Sequence, residues 1–177
     1  SLYDAVRYSI FESMQDSLLN AEPYETLKWI AYRKWSGDTG RKLPGFQCPH
    51  CNFDQATLEY DTDKGRCQNC GKELLLTDML GFHLEMVEEA ARDSVAMAYM
   101  NIHETLLLFT GIRLFWENKK DVLRRCLFIK DGPLQIRAQY SKLIAPIRLF
   151  LQHAVSEGFP IFILGQEKTG LFKDHLD

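Results

Sequence analysis

No apolar run in this sequence approaches the roughly 20 residues that a membrane-crossing helix needs, so no membrane partner is expected. The N-terminus, Ser1-Leu2-Tyr3-Asp4, lacks the basic and apolar stretch of a secretory leader. An excess of one charge is missing as well. Twenty-one Lys and Arg stand against 24 Asp and Glu, a net charge of −3, so contact with nucleic acid would have to come from a local patch. Common catalytic signatures are absent: there is no Gly-x-Ser-x-Gly and no His-Glu-x-x-His. Gly165-x-x-x-x-Gly170 fails as a phosphate loop, because Leu171-Phe172 stand where Lys-Ser/Thr is required. Cysteine is scarce, and four of the five form two Cys-x-x-Cys pairs. That usage suits metal binding in a reducing compartment rather than disulfides, and a cytoplasmic location is expected.

What is present is ample core material: 46% hydrophobic and 12% aromatic residues, enough for one moderate domain with a small insert. Helical spacing of Leu2, Val6, Ile10, Met14 and Leu18 predicts a helix over 2–20, ended by Pro23. A second helix is expected over Tyr24–Trp35. Its Lys28, Arg33 and Lys34, with Arg41 and Lys42 behind, form a small basic stretch that reads first as a solvated helix face. Glycine and proline at 37, 40, 44 and 45 mark a linker. The expected division is residues 1–45 as helices and linker, 46–76 as a cysteine-rich insert, and 77–177 as the main body.

The most specific signal is Cys48-Pro49-His50-Cys51 followed by Cys67-Gln68-Asn69-Cys70-Gly71. Two residues between cysteines let a tight turn aim both sulfurs at one ion, and the pairing matches a four-thiolate zinc ribbon. Ala56, Leu58 and Tyr60 alternate with Thr57, Glu59 and Asp61, which predicts a hairpin turning at 61–65. Free or redox thiols are the plainer reading of one such pair, but two matched pairs favour zinc held by Cys48, Cys51, Cys67 and Cys70. His50 is a candidate substitute for one sulfur. A closed four-sulfur site is structural, not catalytic. Its loss is expected to melt the ribbon locally and leave the body from Thr77 onward intact. Asp61-x-Asp63-x-Gly65 is no calcium loop, since its glycine is misplaced and the closing Glu is missing.

From Thr77 to about Glu117 the pattern is helical, with Thr77 as N-cap and a bend expected near Asn101 or Gly111. Met97, Met100, Glu104, Leu107 or Leu108, and Gly111 fall on one stripe, so Glu104 interrupts an apolar face. Such a carboxylate needs a partner, a proton or a metal; Arg113 is the candidate ion-pair partner. His103 reads as a core residue and Cys126 as a buried inert thiol. Cys126–Ile129 has the length of a buried strand and runs into Lys130-Asp131-Gly132-Pro133, a turn. A helix over Tyr140–Glu157, a stop at Gly158 and a second strand at 160–164 complete a βαβ crossover. Its strands run parallel, which puts Asp131 and Lys168 at the carboxyl edge, where ligands bind in open α/β sheets. The expected fold class is therefore α/β and helix-rich.

With Glu104, Asp131-Gly132-Pro133-Leu134 and Gly165-x-x-Lys168 in view, residues 90–170 resemble the NurA family of DNA-end-processing nucleases. The resemblance implies a partial RNase H-like, Piwi-related core carrying a zinc-ribbon insertion. It implies Glu104 and Asp131 as carboxylates holding Mn²⁺ or Mg²⁺ for phosphodiester hydrolysis, and Lys168 as a phosphate or DNA contact. It also implies DNA as ligand and a HerA-like hexameric ATPase as partner. The family's first catalytic aspartate lies in an early strand, and nothing before Cys48 reads as one; its later acidic and histidine motifs would fall beyond Asp177. The chain is accordingly expected to be the central part of a longer protein, although Met removal before Ser1 would equally explain its start. Two other readings compete. One is a non-enzymatic zinc-ribbon adaptor for nucleic acid or protein. The other is an assembly module whose long helices form a homodimer or dock an ATPase. Convergence of the Glu104 and Asp131 carboxylates would separate enzyme from adaptor.

Overall fold

The computed structural model describes residues 1–16, 22–86, 93–132, 134, 136 and 142–166. Helix α1, Leu2–Gln15, starts where the Ser1 hydroxyl accepts the Asp4 N–H, and it buries Arg7, Ile10, Phe11 and Met14. The buried stripe is thus rotated from the expected one: Leu2 is exposed, and Leu18 lies outside the described residues. Pro23, expected to end the first helix, sits in the first turn of α2, Glu22–Ala31, where a missing N–H costs nothing. Helix α2 is buried on nearly every side. It stops short of the expected Trp35 because Arg33 turns left-handed (φ 54°) into a 3₁₀ turn, Lys34–Ser36.

The cysteine-rich segment pairs differently from the expected hairpin. Strands β1, Lys64–Arg66, and β2, Glu73–Leu75, are antiparallel and flank the second knuckle. Ala56 and Leu58 do turn inward, as their alternation predicts, but Ala56 bridges Phe46 and Leu58 accepts the Leu43 N–H. Beyond β2 the expected long helix is absent at its start. Residues Leu76–Leu80 and Phe82–Glu85 are separate 3₁₀ turns, divided at Gly81, whose φ of 74° suits glycine. The Asp78 carboxylate accepts the Leu75 N–H and anchors the first turn.

Helix α3, Ser94–Asn118, is continuous through Asn101 and Gly111, without the expected break. Its buried face carries Ile102, Leu106, Phe109, Ile112 and Trp116 and packs on α2, where Thr26 and Thr110 share a hydrogen bond of 2.9 Å. A short turn, α4 (Lys120–Leu123), leads to β3, Leu127–Asp131; α5, Ile144–Ser156, then leads to β4, Phe162–Gln166. Strands β3 and β4 are parallel, from Leu127 opposite Phe162 to Asp131 opposite Gln166. The arrangement is a helix-rich α/β fold. Among the described residues, one face of this two-stranded sheet is covered, by α3. On the other, Leu127, Ile129, Phe162 and Leu164 are between 51% and 57% exposed, so these are not the fully buried strands that their apolar runs predict. Cys126 is likewise only half-buried. Buried residues from α1, α2, the ribbon, the 3₁₀ turns, α3 and α5 belong to one core cluster.

Candidate metal centre

The two knuckles bring the four expected sulfurs together. The Sγ atoms of Cys48, Cys51, Cys67 and Cys70 all lie within 4.8 Å of one another. Cys48 is 3.9 Å from Cys70, and Cys51 is 3.8 Å from Cys67; none is in a disulfide. A tetrahedron with metal–sulfur arms of about 2.3 Å has edges of about 3.8 Å, so the spacing fits one tetrahedral ion. Each knuckle also turns a backbone N–H onto its first sulfur, His50 onto Cys48 and Asn69 onto Cys67, both at 3.4 Å. The Asn69 side-chain amide reaches Cys51 and draws that thiol down to about 6, whereas burial pushes the Cys48 thiol up to about 12. A bound ion would hold all four as thiolates. His50 is not a fifth candidate: its Nε2 lies 3.2 Å from Arg7 Nη1 and 3.1 Å from the Glu73 carbonyl. The cluster can hold a metal ion, and with four sulfurs it leaves no position open for substrate.

Long-range contacts fasten the ribbon to the helices. The Tyr3 hydroxyl donates to the Pro49 carbonyl at 3.0 Å, and the Tyr8 hydroxyl meets Glu73. Lys28 pairs with Asp61 and Asp63 at 3.0 and 3.1 Å, and Lys34 with Asp61 at 2.7 Å. Tyr24 and Tyr32 donate to Asp63 and to the Thr62 carbonyl. Lys42 pairs with Glu59, and Arg41 with Asp38. The basic stretch is therefore largely matched by carboxylates of the chain itself, which leaves little of it to attract nucleic acid.

At the sheet, Asp131 closes β3 at its carboxyl end, and the Gly132 N–H donates to the Gln166 carbonyl at 2.8 Å. Gly165 permits this crossing: a Cβ there would lie 2.9 Å from the Gly132 oxygen. Lys168 lies outside the described residues. Glu104 does not interrupt a buried face as expected. Met97 and Met100, on its stripe, are 62% and 60% exposed, and the Glu104 side chain is 49% exposed. Its partner is Lys130 at 3.2 Å, and the expected candidate Arg113 pairs instead with Glu22. Successive strand residues point to opposite faces, so buried Lys130 faces α3 with Phe128, whereas Asp131 falls on the open face with Leu127 and Ile129. Sequence reasoning missed Lys130, although its alternation with Phe128 carried the signal. Among the described residues, the four cysteines are the sole group of three or more potential ligands within metal-binding range. Glu104→Ala is expected to cost about 1 kcal/mol or less, by removing one carboxylate partner of the buried Lys130 ammonium, since Glu104 is half in water. A urea titration in which Glu104→Ala leaves the midpoint unchanged would refute this pairing.

No family model matches the chain, and neither a curated protein nor a solved structure matches it. No helix among the described residues is long and apolar enough to cross a membrane.

Proposed function

We propose that the chain carries the carboxyl-edge part of a metal-dependent nuclease acting on DNA ends, with Asp131 at its centre and a structural Zn²⁺ in the four-cysteine ribbon. The observation that carries this reading is the parallel β3–α5–β4 unit, with Asp131 in register with Gln166 at the sheet edge. A carboxylate at a strand end is rigidly placed, as phosphodiester cleavage with ions about 4 Å apart demands. Lys168, two residues past the end of β4, is assigned to the substrate phosphate. A HerA-like hexameric ATPase is the proposed partner, in a cytoplasmic setting that keeps the ribbon thiols reduced.

The fit to a catalytic Mn²⁺ or Mg²⁺ is incomplete within the described residues. Such ions prefer about six oxygens, and Glu104 is engaged by Lys130 on the face opposite Asp131. That pairing favours the second reading, a zinc-ribbon adaptor in which Asp131 only forms a turn. Asp131→Asn separates the two, because it keeps shape and removes charge. The nuclease reading expects at least about a hundredfold loss of Mn²⁺- or Mg²⁺-dependent DNA cleavage, with unchanged thermal stability. Cleavage by Asp131→Asn and Glu104→Gln at the parental rate would leave the adaptor reading in its place.

A further inference from the structure

The joint between α1 and the 3₁₀ turns contains a polar group that the rest of the fold does not explain. Arg7 grips Asp78 with two parallel bonds, Nε to Oδ1 at 3.0 Å and Nη2 to Oδ2 at 2.8 Å, both residues being buried. Asp4 takes the remaining Arg7 nitrogen at 3.2 Å, and the Leu75 N–H adds to Asp78. Beside this pair His83 is 8% exposed, and neither of its ring nitrogens has a hydrogen-bond partner among the described residues. Two unpaired nitrogens on one buried ring are costly, and a native fold satisfies such groups with water when protein supplies none. The ring borders a cavity lined by Arg7, Ile10, Thr77, Asp78, Phe82 and His83, with about 10 Å³ available to a water centre. That is room for one molecule, and the lining offers it the two to four polar partners it needs.

We propose that this cavity binds one water molecule on His83, and that Arg7, Asp78 and His83 form an acid-sensitive latch fastening α1 to the 3₁₀ platform. The charged groups around the ring set the sign. Arg7 faces it from α1, Asp78 from the first 3₁₀ turn and His50 from the first knuckle. Its own turn contributes buried Glu85, and α3 brings Tyr99 against Phe82 with His103 stacked on Tyr99. Burial holds the His83 pKa below its ordinary value, Arg7 and His50 adding to the effect and Asp78 opposing it. The open state therefore takes up the proton first. The latch is at full strength above about pH 6.5 and weakens as pH falls from there toward the folded-state pKa, by up to about tenfold in opening equilibrium per pH unit.

Amide hydrogen exchange over residues 2–15 of the zinc-loaded protein between pH 7.5 and 5.5, corrected for intrinsic rates, tests the latch. Protection in α1 is expected to fall severalfold below about pH 6.5 in the parent. In His83→Gln, which stays neutral and can still bind water, the dependence should be lost and protection at pH 7.5 kept. A flat parental profile, or the same slope in His83→Gln, overturns the latch; a slope caused by loss of zinc would persist in the variant. Should His83→Gln not fold, the imidazole titration of the parent by NMR decides, and a midpoint at or above about 6.5 overturns it. A high-resolution crystal structure with no ordered water within hydrogen-bond distance of the His83 ring overturns the water site.

Discussion

Cys48→Ser, or removal of the ion by a chelator, is expected to unfold the helical half as well as the ribbon. This is a wider loss than sequence alone suggests. Cys48 and Cys67 are buried within the same core cluster as Leu27, Ile30 and Met14. The ribbon's turns are also tied to α1 through Tyr3 and Arg7, to α2 through Tyr24 and Lys28, and to the turn after α2 through Tyr32. In small zinc modules the apparent metal-binding free energy is about 10–16 kcal/mol, comparable to the whole stability of a domain. Without a bound ion, four sulfurs within 4.8 Å of one another have no positive charge to hold them there. Forfeiting even about 5 kcal/mol would lower Tm by roughly 10–20 °C at this chain length. Hydrogen exchange should show amides of residues 2–15 and 22–31 losing protection together with those of 64–75. Metal-free protein that keeps α1 and α2 protected while only the ribbon exchanges would show that the ribbon is an independent module.

What the sequence made legible was local. A Cys-x-x-Cys knuckle is a single turn, so its geometry follows from spacing, and the four sulfurs meet as expected. The β3–α5–β4 unit was also legible, because an apolar run, a helical period and a second apolar run leave a parallel crossover as the economical solution. Several of the misreadings turn on partners far away in the chain. Residues 76–85 have helical spacing, yet Asp78 is committed to Arg7, 71 residues away, and Gly81 breaks the run. Helix α3 carries apolar residues on all sides, so periodicity could not tell that Met97, Met100 and Glu104 face outward. In β3 and β4 the same ambiguity hid an open face, because a run of apolar residues does not reveal whether one side or both are covered. The match of Lys28 and Lys34 to Asp61 likewise exists only once the ribbon folds back on α2.

Phe150→Ala is expected to be the most damaging substitution away from the cysteines. Phe150 is 0% exposed on α5 and lies among four aromatic rings from other elements. Centroid distances are 4.7 Å to Trp29 of α2, 5.8 Å to Trp35 of the following 3₁₀ turn, and 5.2 and 6.5 Å to Trp116 and Phe109 of α3. Most of these contacts are edge-on, the geometry in which each aromatic pair adds about 0.5–1.5 kcal/mol beyond the area it buries. Truncation to alanine removes the ring, and large indoles on three sides cannot collapse into the space without leaving their rotamers. The expected cost is about 3–5 kcal/mol, read as a lower urea midpoint at unchanged slope. Phe150→Leu keeps more of the volume and should cost less, and Leu149→Ala, on the solvent side of the same helix, about 1 kcal/mol or below. The comparison isolates the cause, because both alanine variants raise the helix propensity of α5, Phe150→Ala the more, while only that one opens the aromatic joint. If Phe150→Ala and Leu149→Ala shift the midpoint equally, α5 is not held to α2 and α3 through that ring, and the placement of β4 beside β3 must rest on the strand pairing itself.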